Sequence, residues 1–339
     1  MDIAISPVDV ADDGQVDDAL AVLTASRRHD VPDFPPPCRY NFVGMLRHPT
    51  SANRGEYALA RLDGRVVGFV GISMPQRDNL DNSELELEVD PAYRRRGVGR
   101  ALYGYAADLL RAEGRKRTAA MTSESLPGGV ERDDSGRHFA IAMGAKDALG
   151  EVRRTLDLST VDDDALAAML SEAYGKAGAY RLVQWRDRVD DEYAADVAYL
   201  DGRLVTDAPM GDLAWGPEEI DVTRIRDSEA ARQLRGVRSY ASGMVHEASG
   251  RLVALTTIGF ERSNPDAGHQ WITLVDPDHR GHRLGMIVKI ENLSYARAHE
   301  PKLSTVQTWN AASNHFMISI NEAMGFRPVD SWVNWQAEV

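Results

Sequence analysis

Glu84-Leu85-Glu86-Leu87-Glu88-Val89-Asp90-Pro91-Ala92-Tyr93-Arg94-Arg95-Arg96-Gly97-Val98-Gly99-Arg100 decides how the rest of this chain is read. Its first six residues alternate with the period of two expected of a strand, and Pro91 ends them. Three arginines follow, then two glycines one residue apart. Beyond Gly99, Leu102, Ala106, Leu109 and Leu110 recur at three- and four-residue spacing up to Glu113-Gly114, which predicts an amphipathic helix with a glycine stop. Glycine lets backbone approach a ligand closely, and the first amides of a helix lack intrahelical partners and sit at the positive end of its dipole. Strand, arginines, glycines and helix in that order make a cradle for an anion such as a pyrophosphate. The Walker and Rossmann patterns fit worse, because no G-K-[ST] is present and no G-x-G-x-x-G follows a strand here.

Working outward, the same construction recurs. Val275-Asp276-Pro277 repeats Val89-Asp90-Pro91 at an offset of 186 residues; in that register Arg280 matches Arg94, Gly285 matches Gly99, and Ser249-Gly250-Arg251 matches Asp63-Gly64-Arg65. Three features in one register predict a tandem duplication. In the first copy we expect a strand over 1–6, helices over 16–28 and 40–47, and a hairpin of 56–62 with 65–72 turned by Asp63-Gly64. A strand over 117–122 and a short helix over 138–143 complete it. In the second copy we expect helices over 192–204 and 227–234, a hairpin of 238–247 with 251–260, and strands over 269–275 and 305–309. A closing helical segment runs from Asn310 to Met324-Gly325-Phe326. The expected domains are 1–155 and 156–339, with the helix 161–174 unassigned. No Gly/Ser linker separates the halves, so they are expected to pack.

A strand, a proline, R-R-R-G-V-G and a long amphipathic helix, twice over, resemble the acyl-CoA-binding motif of the GNAT acyltransferase superfamily, and the whole chain is similar to actinobacterial two-domain acetyltransferases. The resemblance implies a mixed α/β fold of two tandem GNAT domains. It implies acyl-CoA, by default acetyl-CoA, as co-substrate, and direct attack of a small-molecule primary amine on the thioester. In such a domain the strand before the loop splays from its neighbour, and its backbone, here Leu87 and Val89 or Val275, pairs with the pantetheine arm. The loop residues Arg94, Arg95, Arg96, Gly97, Val98, Gly99 and Arg100, and Arg280, Gly281, His282, Arg283, Leu284 and Gly285, hold the pyrophosphate. Asn310 and Asn314 resemble asparagines that touch the CoA arm, although Asn is also a favoured helix cap.

The family's chemistry uses a carboxylate or water chain as base and a Tyr as acid. Glu84, Glu86 and Glu88 share one strand face, and Glu86 and Glu84 are the candidate bases; a strand face turned to water reads equally well. The family's Tyr position falls on Ala140 in the first copy and Asn321 in the second, leaving Tyr103 or Tyr105 as substitutes or no acid at all. In the second copy the loop's first glycine is Arg283, and Gln270-Trp271-Ile272-Thr273-Leu274 offers no carboxylate, so His269 or His246 is the remaining base. The expectation is therefore that the first copy carries the chemistry. The missing tyrosines also motivate a second reading, a catalytically degenerate acyl-CoA-binding regulatory protein.

Composition narrows the partners. The 339 residues are 43% hydrophobic and 27% charged, those of an ordinary globular protein, and the net charge of −13 disfavours nucleic acid. One cysteine, Cys38, excludes an internal disulfide and a cysteine metal cluster, and no metal is expected. No apolar run approaches the roughly 20 residues of a membrane span, and Met1-Asp2-Ile3-Ala4 lacks signal-peptide character, so a cytoplasmic monomer or homodimer is expected. All six tryptophans, Trp185, Trp215, Trp271, Trp309, Trp332 and Trp335, fall in the second half, where packing is the favoured role over a pocket wall.

Overall fold

The computed structural model describes residues 2–339. In chain order the elements are β1 (Ile3–Pro7), α1 (Asp13–Asp30), α2 (Arg39–Arg47), β2 (Asn53–Leu62), β3 (Arg65–Pro75), β4 (Glu84–Val89), α3 (Val98–Ala112), β5 (Arg117–Glu124), α4 (Ser135–Ala142) and β6 (Lys146–Asp157). There follow α5 (Asp163–Tyr174), β7 (Tyr180–Arg186), α6 (Ala194–Gly202), α7 (Leu204–Asp207), α8 (Val222–Leu234), β8 (Val237–His246), β9 (Leu252–Glu261), β10 (Ala267–Val275), α9 (Leu284–His299), β11 (Thr305–Ala311), α10 (His315–Ala323) and β12 (Arg327–Glu338). Strands and helices interleave as the mixed α/β expectation required. β6, β7 and β12 had no counterpart in the sequence reading.

The chain forms two compact units, one of residues up to Glu151 with Met210–Gly216 and Asp330–Val339, the other of Val152–Pro209 with Pro217–Val329. The boundary placed at 155/156 falls inside β6. In the first unit the strand order is β1, β2, β3, β4, β5, β12, antiparallel except between β4 and β5. Asp63 and Gly64 both take positive φ, 51° and 81°, as a tight two-residue hairpin turn demands. α3 buries Val98, Leu102, Ala106 and Leu110 against Ala58, Val70, Ile72 and Leu85. Gly68 of β3 permits that seating, since a Cβ there would stand 2.8 Å from Leu102 and 2.9 Å from Val98. α1 and α2 cover the other face through Val16, Leu23, Phe42 and Leu46 on Leu59 and Phe69.

The last strand of the first unit comes from the far end of the chain. β12 pairs with β5 from Ser331↔Glu124 to Glu338↔Arg117, and Arg132, itself buried, donates to the fully buried Asp330 at 2.8 Å. The second unit is the reciprocal case, with strand order β6, β11, β10, β9, β8, β7, so the strand that ends the first copy edges the second sheet. α9 and α5 pack one face of that sheet through Ile287, Val288, Leu293 and Leu166. α6 and α8 cover the other through Val197, Ala198 and Ile225. No helix among the described residues is long and apolar enough to cross a membrane.

Candidate active site

The two Gly/Arg loops are the same loop built twice. Asp90 donates its amide to Val67 and Asp276 to Val253; Tyr93 donates to Asp90 and His279 to Asp276; the Arg94 and Arg280 Nε atoms return to the carbonyls of Val89 and Val275 at 3.2 and 3.3 Å. Each loop has two left-handed positions in one register, Arg95 and Gly97 in the first, Gly281 and Arg283 in the second, with φ between 59° and 88°. One glycine and one arginine fill them in each copy, in opposite order. An L-residue there costs roughly 1–2 kcal/mol, so each loop carries one strained arginine. The first ladder bond of α3 runs from Ala101 to the Gly97 carbonyl, so the amides of Val98, Gly99 and Arg100 precede the ladder. Leu284 and Gly285 stand likewise at the start of α9, ahead of the Met286 amide that donates to Arg283. This cradle fits the pyrophosphate of an acyl-CoA.

Side chains around the first loop are largely spoken for. Arg94 is bidentate on Asp30 at 2.7 and 2.8 Å and also reaches Asp133, Ser26 and Ser135. The Arg96 guanidinium lies 5.2 Å from the Tyr93 ring centroid. β4 pairs with β3 without interruption from Gly68↔Val89 to Ser73↔Glu84 and touches β5 only at Glu84↔Ala119, so it splays as expected. Of the candidate bases, Glu84 is exposed and Glu86 is ion-paired to Arg27 at 2.6 Å. Glu88, named for its face but not as a base, accepts from the Ser26 hydroxyl, and burial pushes its carboxyl up to about 7.

β10, the equivalent strand of the second unit, is bulged. Its partners on β9 run Gln270↔Ile258 and then Thr273↔Thr256, so one extra residue is accommodated and both Trp271 and Ile272 border the same cavity. The Thr256 hydroxyl braces the bulge by donating to the Ile272 carbonyl at 3.0 Å and meeting the Thr273 hydroxyl at 2.7 Å. Gln270 donates to Thr256, and the buried Lys289 of α9 donates to Gln270 at 3.1 Å; burial brings that amine down to about 7. The Trp271 ring lies over Gly259, where a Cβ would stand 1.8 Å away. β10 and β11 pair only over Ala267–His269 and Thr305–Gln307, so this strand splays too.

The cavity, about 490 Å³, lies between that sheet face and α6 and α8. Asp201 borders it, and desolvation pushes its carboxyl up to about 6 against the pull of Arg232 and Arg224 and with a small push from Glu218. A perturbed carboxylate in a concave, largely apolar site has the character of a functional group. Sequence reading missed it because Asp201 sits at a helix end with no motif around it.

The remaining candidates separate. Asn314 caps α10 by accepting from the Met317 amide, and Asn310 accepts from Asn321, the residue at the expected Tyr position. Asn321 is fully buried and its own Oδ1 is without a partner. His282 meets the Lys176 carbonyl at 3.2 Å, Arg280 pairs with Asp207 at 3.0 Å, and Arg283 stands 4.0 Å from Glu172. His269 stacks on Trp309, and His246 sits beside Tyr180 and Ser249. Of the tryptophans, Trp185 and Trp271 line the cavity, whereas Trp215, Trp332 and Trp335 belong to the first unit.

Comparison with known proteins agrees with this geometry. The profile of the Acetyltransferase (GNAT) family matches residues 21–127. Among solved structures the chain is similar to a tandem GNAT protein from the clavulanic acid biosynthesis pathway, solved without AcCoA. The two share 34% identity, with a TM-score of 0.84 over 99% of this chain and 98% of that one. A GCN5-related N-acetyltransferase from Sphaerobacter thermophilus shares the fold at 11% identity, with a TM-score of 0.65 and coverage of 99% and 95%. No curated protein matches. Two copies of one loop, two splayed strands and full-length likeness at that identity place the chain in the GNAT acetyltransferase family, as a tandem member.

Proposed function

We propose that the chain is an acyl-CoA-dependent N-acyltransferase that moves an acetyl group from acetyl-CoA to the primary amine of a small molecule, and that the acceptor enters the second unit's cavity. The observation that carries this is the bulge in β10, which turns Trp271 and Ile272 to the cavity on the strand that a GNAT fold lays against the acyl-CoA. Asp201 accepts the proton of the attacking amine, the nitrogen forms its bond to the acetyl carbon, the C–S bond breaks, and CoA leaves as the thiol. No tyrosine stands at the family's acid position in either copy, so the thiolate takes its proton from solvent. The first copy then holds acyl-CoA through its own loop.

Two other assignments have an observation behind them. Glu86 or Glu84 as base in the first unit is favoured by a loop with both glycines next to a three-carboxylate strand face, and Glu88 poised near 7 strengthens it. A regulatory acyl-CoA binder is favoured by Ala140 and Asn321. The test is release of CoA thiol from acetyl-CoA over a panel of small amines, with melting temperature followed in parallel. Acyl transfer requires both thiol release and a rise in melting temperature with acetyl-CoA. A rise without turnover selects the regulator, and no rise at about 1 mM acetyl-CoA removes both readings.

A further inference from the structure

We propose that the cavity of the second unit selects a zwitterion, with Asp201 taking the ammonium and Arg232 the carboxylate of an amino acid or amino-acid-derived acceptor. The proposal rests on the acyl-transfer reading for calling that ligand the acceptor. Most charges on the wall already have partners. Glu218 is paired with Arg224, Glu229 accepts from Arg226 at 2.6 Å and from the Val189 amide at 2.9 Å, and Asp187 accepts from the Ser239 amide at 2.7 Å. Among the described residues, the side chains of Asp201 and Arg232 make no hydrogen bond and no ion pair, the Arg232 Nε is buried without a partner, and the two charges act on each other only at longer range, with Glu229 and Asp187 also attracting Arg232. One negative and one positive group therefore face the same cavity unpaired.

Burial opposes the charge on both, raising the Asp201 carboxyl and lowering the Arg232 guanidinium. An unpaired buried charge is costly, and only a ligand bearing both signs relieves both groups at once. A simple amine would leave Arg232 unpaired, and a simple anion would leave Asp201 unpaired while facing Asp187, Glu218 and Glu229 as well. The Arg232 guanidinium lies 5.6 Å from the Trp271 ring centroid, which orients a planar donor fork suited to a carboxylate. Trp185, Trp271 and Ile220 supply an apolar wall for the ligand's body. The volume falls within the roughly 300–1,000 Å³ usual for small-molecule sites.

The experiment is calorimetric titration of the full chain, without acetyl-CoA, with the twenty common L-amino acids and their glycyl dipeptides. The methyl ester and the des-amino acid of the best binder follow. We expect a free zwitterion to bind, and its ester and des-amino analogue each to bind about tenfold or more weaker, as for loss of one charged hydrogen-bond partner. Arg232→Gln should weaken the acid but not the ester; Asp201→Asn should weaken the acid but not the des-amino analogue. Because neither group holds the fold by a bond, both variants should melt at or above the parent temperature at pH 8. The proposal is overturned if no panel member binds, if acid and ester bind alike, or if either variant lowers the melting temperature. Zwitterion binding with these signatures but no CoA thiol release would sink acyl transfer and keep the clamp; rapid transfer to amines lacking a carboxylate would do the reverse.

Discussion

The two units share a loop down to individual hydrogen bonds, yet their central strands have diverged. In the first, β4 is regular and its outward carboxylates are occupied by α1, through Ser26 on Glu88 and Arg27 on Glu86. In the second, β10 is bulged, braced by Thr256, and borders a cavity with an unpaired carboxylate. The position matching Thr256 in the first copy is Val70, which has no hydroxyl to hold a displaced carbonyl. The anion cradle is thus built twice, whereas the bulge and the cavity it borders belong to the second unit.

The largest effect expected concerns what the units still share. Deleting Asp330–Val339 removes the strand paired along β5 and takes the buried Asp330 from Arg132, which keeps only Asp33 as its carboxylate partner. We expect no cooperative melting of the first unit in circular dichroism or calorimetry; an unchanged transition would show that each copy closes its own sheet. For the same reason residues 156–339 expressed alone should aggregate.

A smaller change tests the bulge itself. Thr256→Val gives the second unit the first unit's residue, unpairs the Ile272 carbonyl, leaves the Gln270 amide only its bond to the Thr257 carbonyl, and should lower stability by about 1–3 kcal/mol. Acyl transfer should fall further than that loss implies, because Trp271 and Ile272 would leave the cavity wall. Full activity in a folded Thr256→Val protein would separate bulge from function.

The smallest effect sharpens the first unit's side. The Glu88 carboxyl stands at about 7 in the fold against 4.5 ordinarily, so its contribution favours folding when protonated and is lost as pH rises between those values. Glu88→Gln should therefore raise the melting temperature slightly at pH 8 and leave it unchanged at pH 4. A loss at pH 8 would mean that Glu88 is ionised and paired.

These contrasts divide what was legible in the sequence from what was not. The loops, the 186-residue register and the Asp63-Gly64 hairpin were readable because glycine, proline and strict alternation mark local backbone. β12 alternates too, with Val333, Trp335 and Ala337 buried, but nothing local tells a strand which sheet it will join, so the exchange was invisible. The bulge left a trace in Thr256 and Gln270, polar residues at inward positions opposite Val70 and the start of β4. Asp201 left none, since a carboxylate at a helix end reads as solvated until a cavity is seen around it.

The direct test of the central claim, that acceptor chemistry belongs to the second unit, compares two isosteric changes, Glu86→Gln and Asp201→Asn, by kcat/KM for one amine acceptor from pH 5 to 8. We predict that Asp201→Asn lowers kcat/KM by about 10²-fold or more, as for loss of a general base, and removes a rise centred near pH 6, where Asp201 ionises amid Arg232, Arg224, Glu218, Glu229 and Asp187. Glu86→Gln should change it by no more than about threefold, since Glu86 is already ion-paired. The opposite outcome, a large loss in Glu86→Gln with Asp201→Asn near parental, would return the chemistry to the first unit.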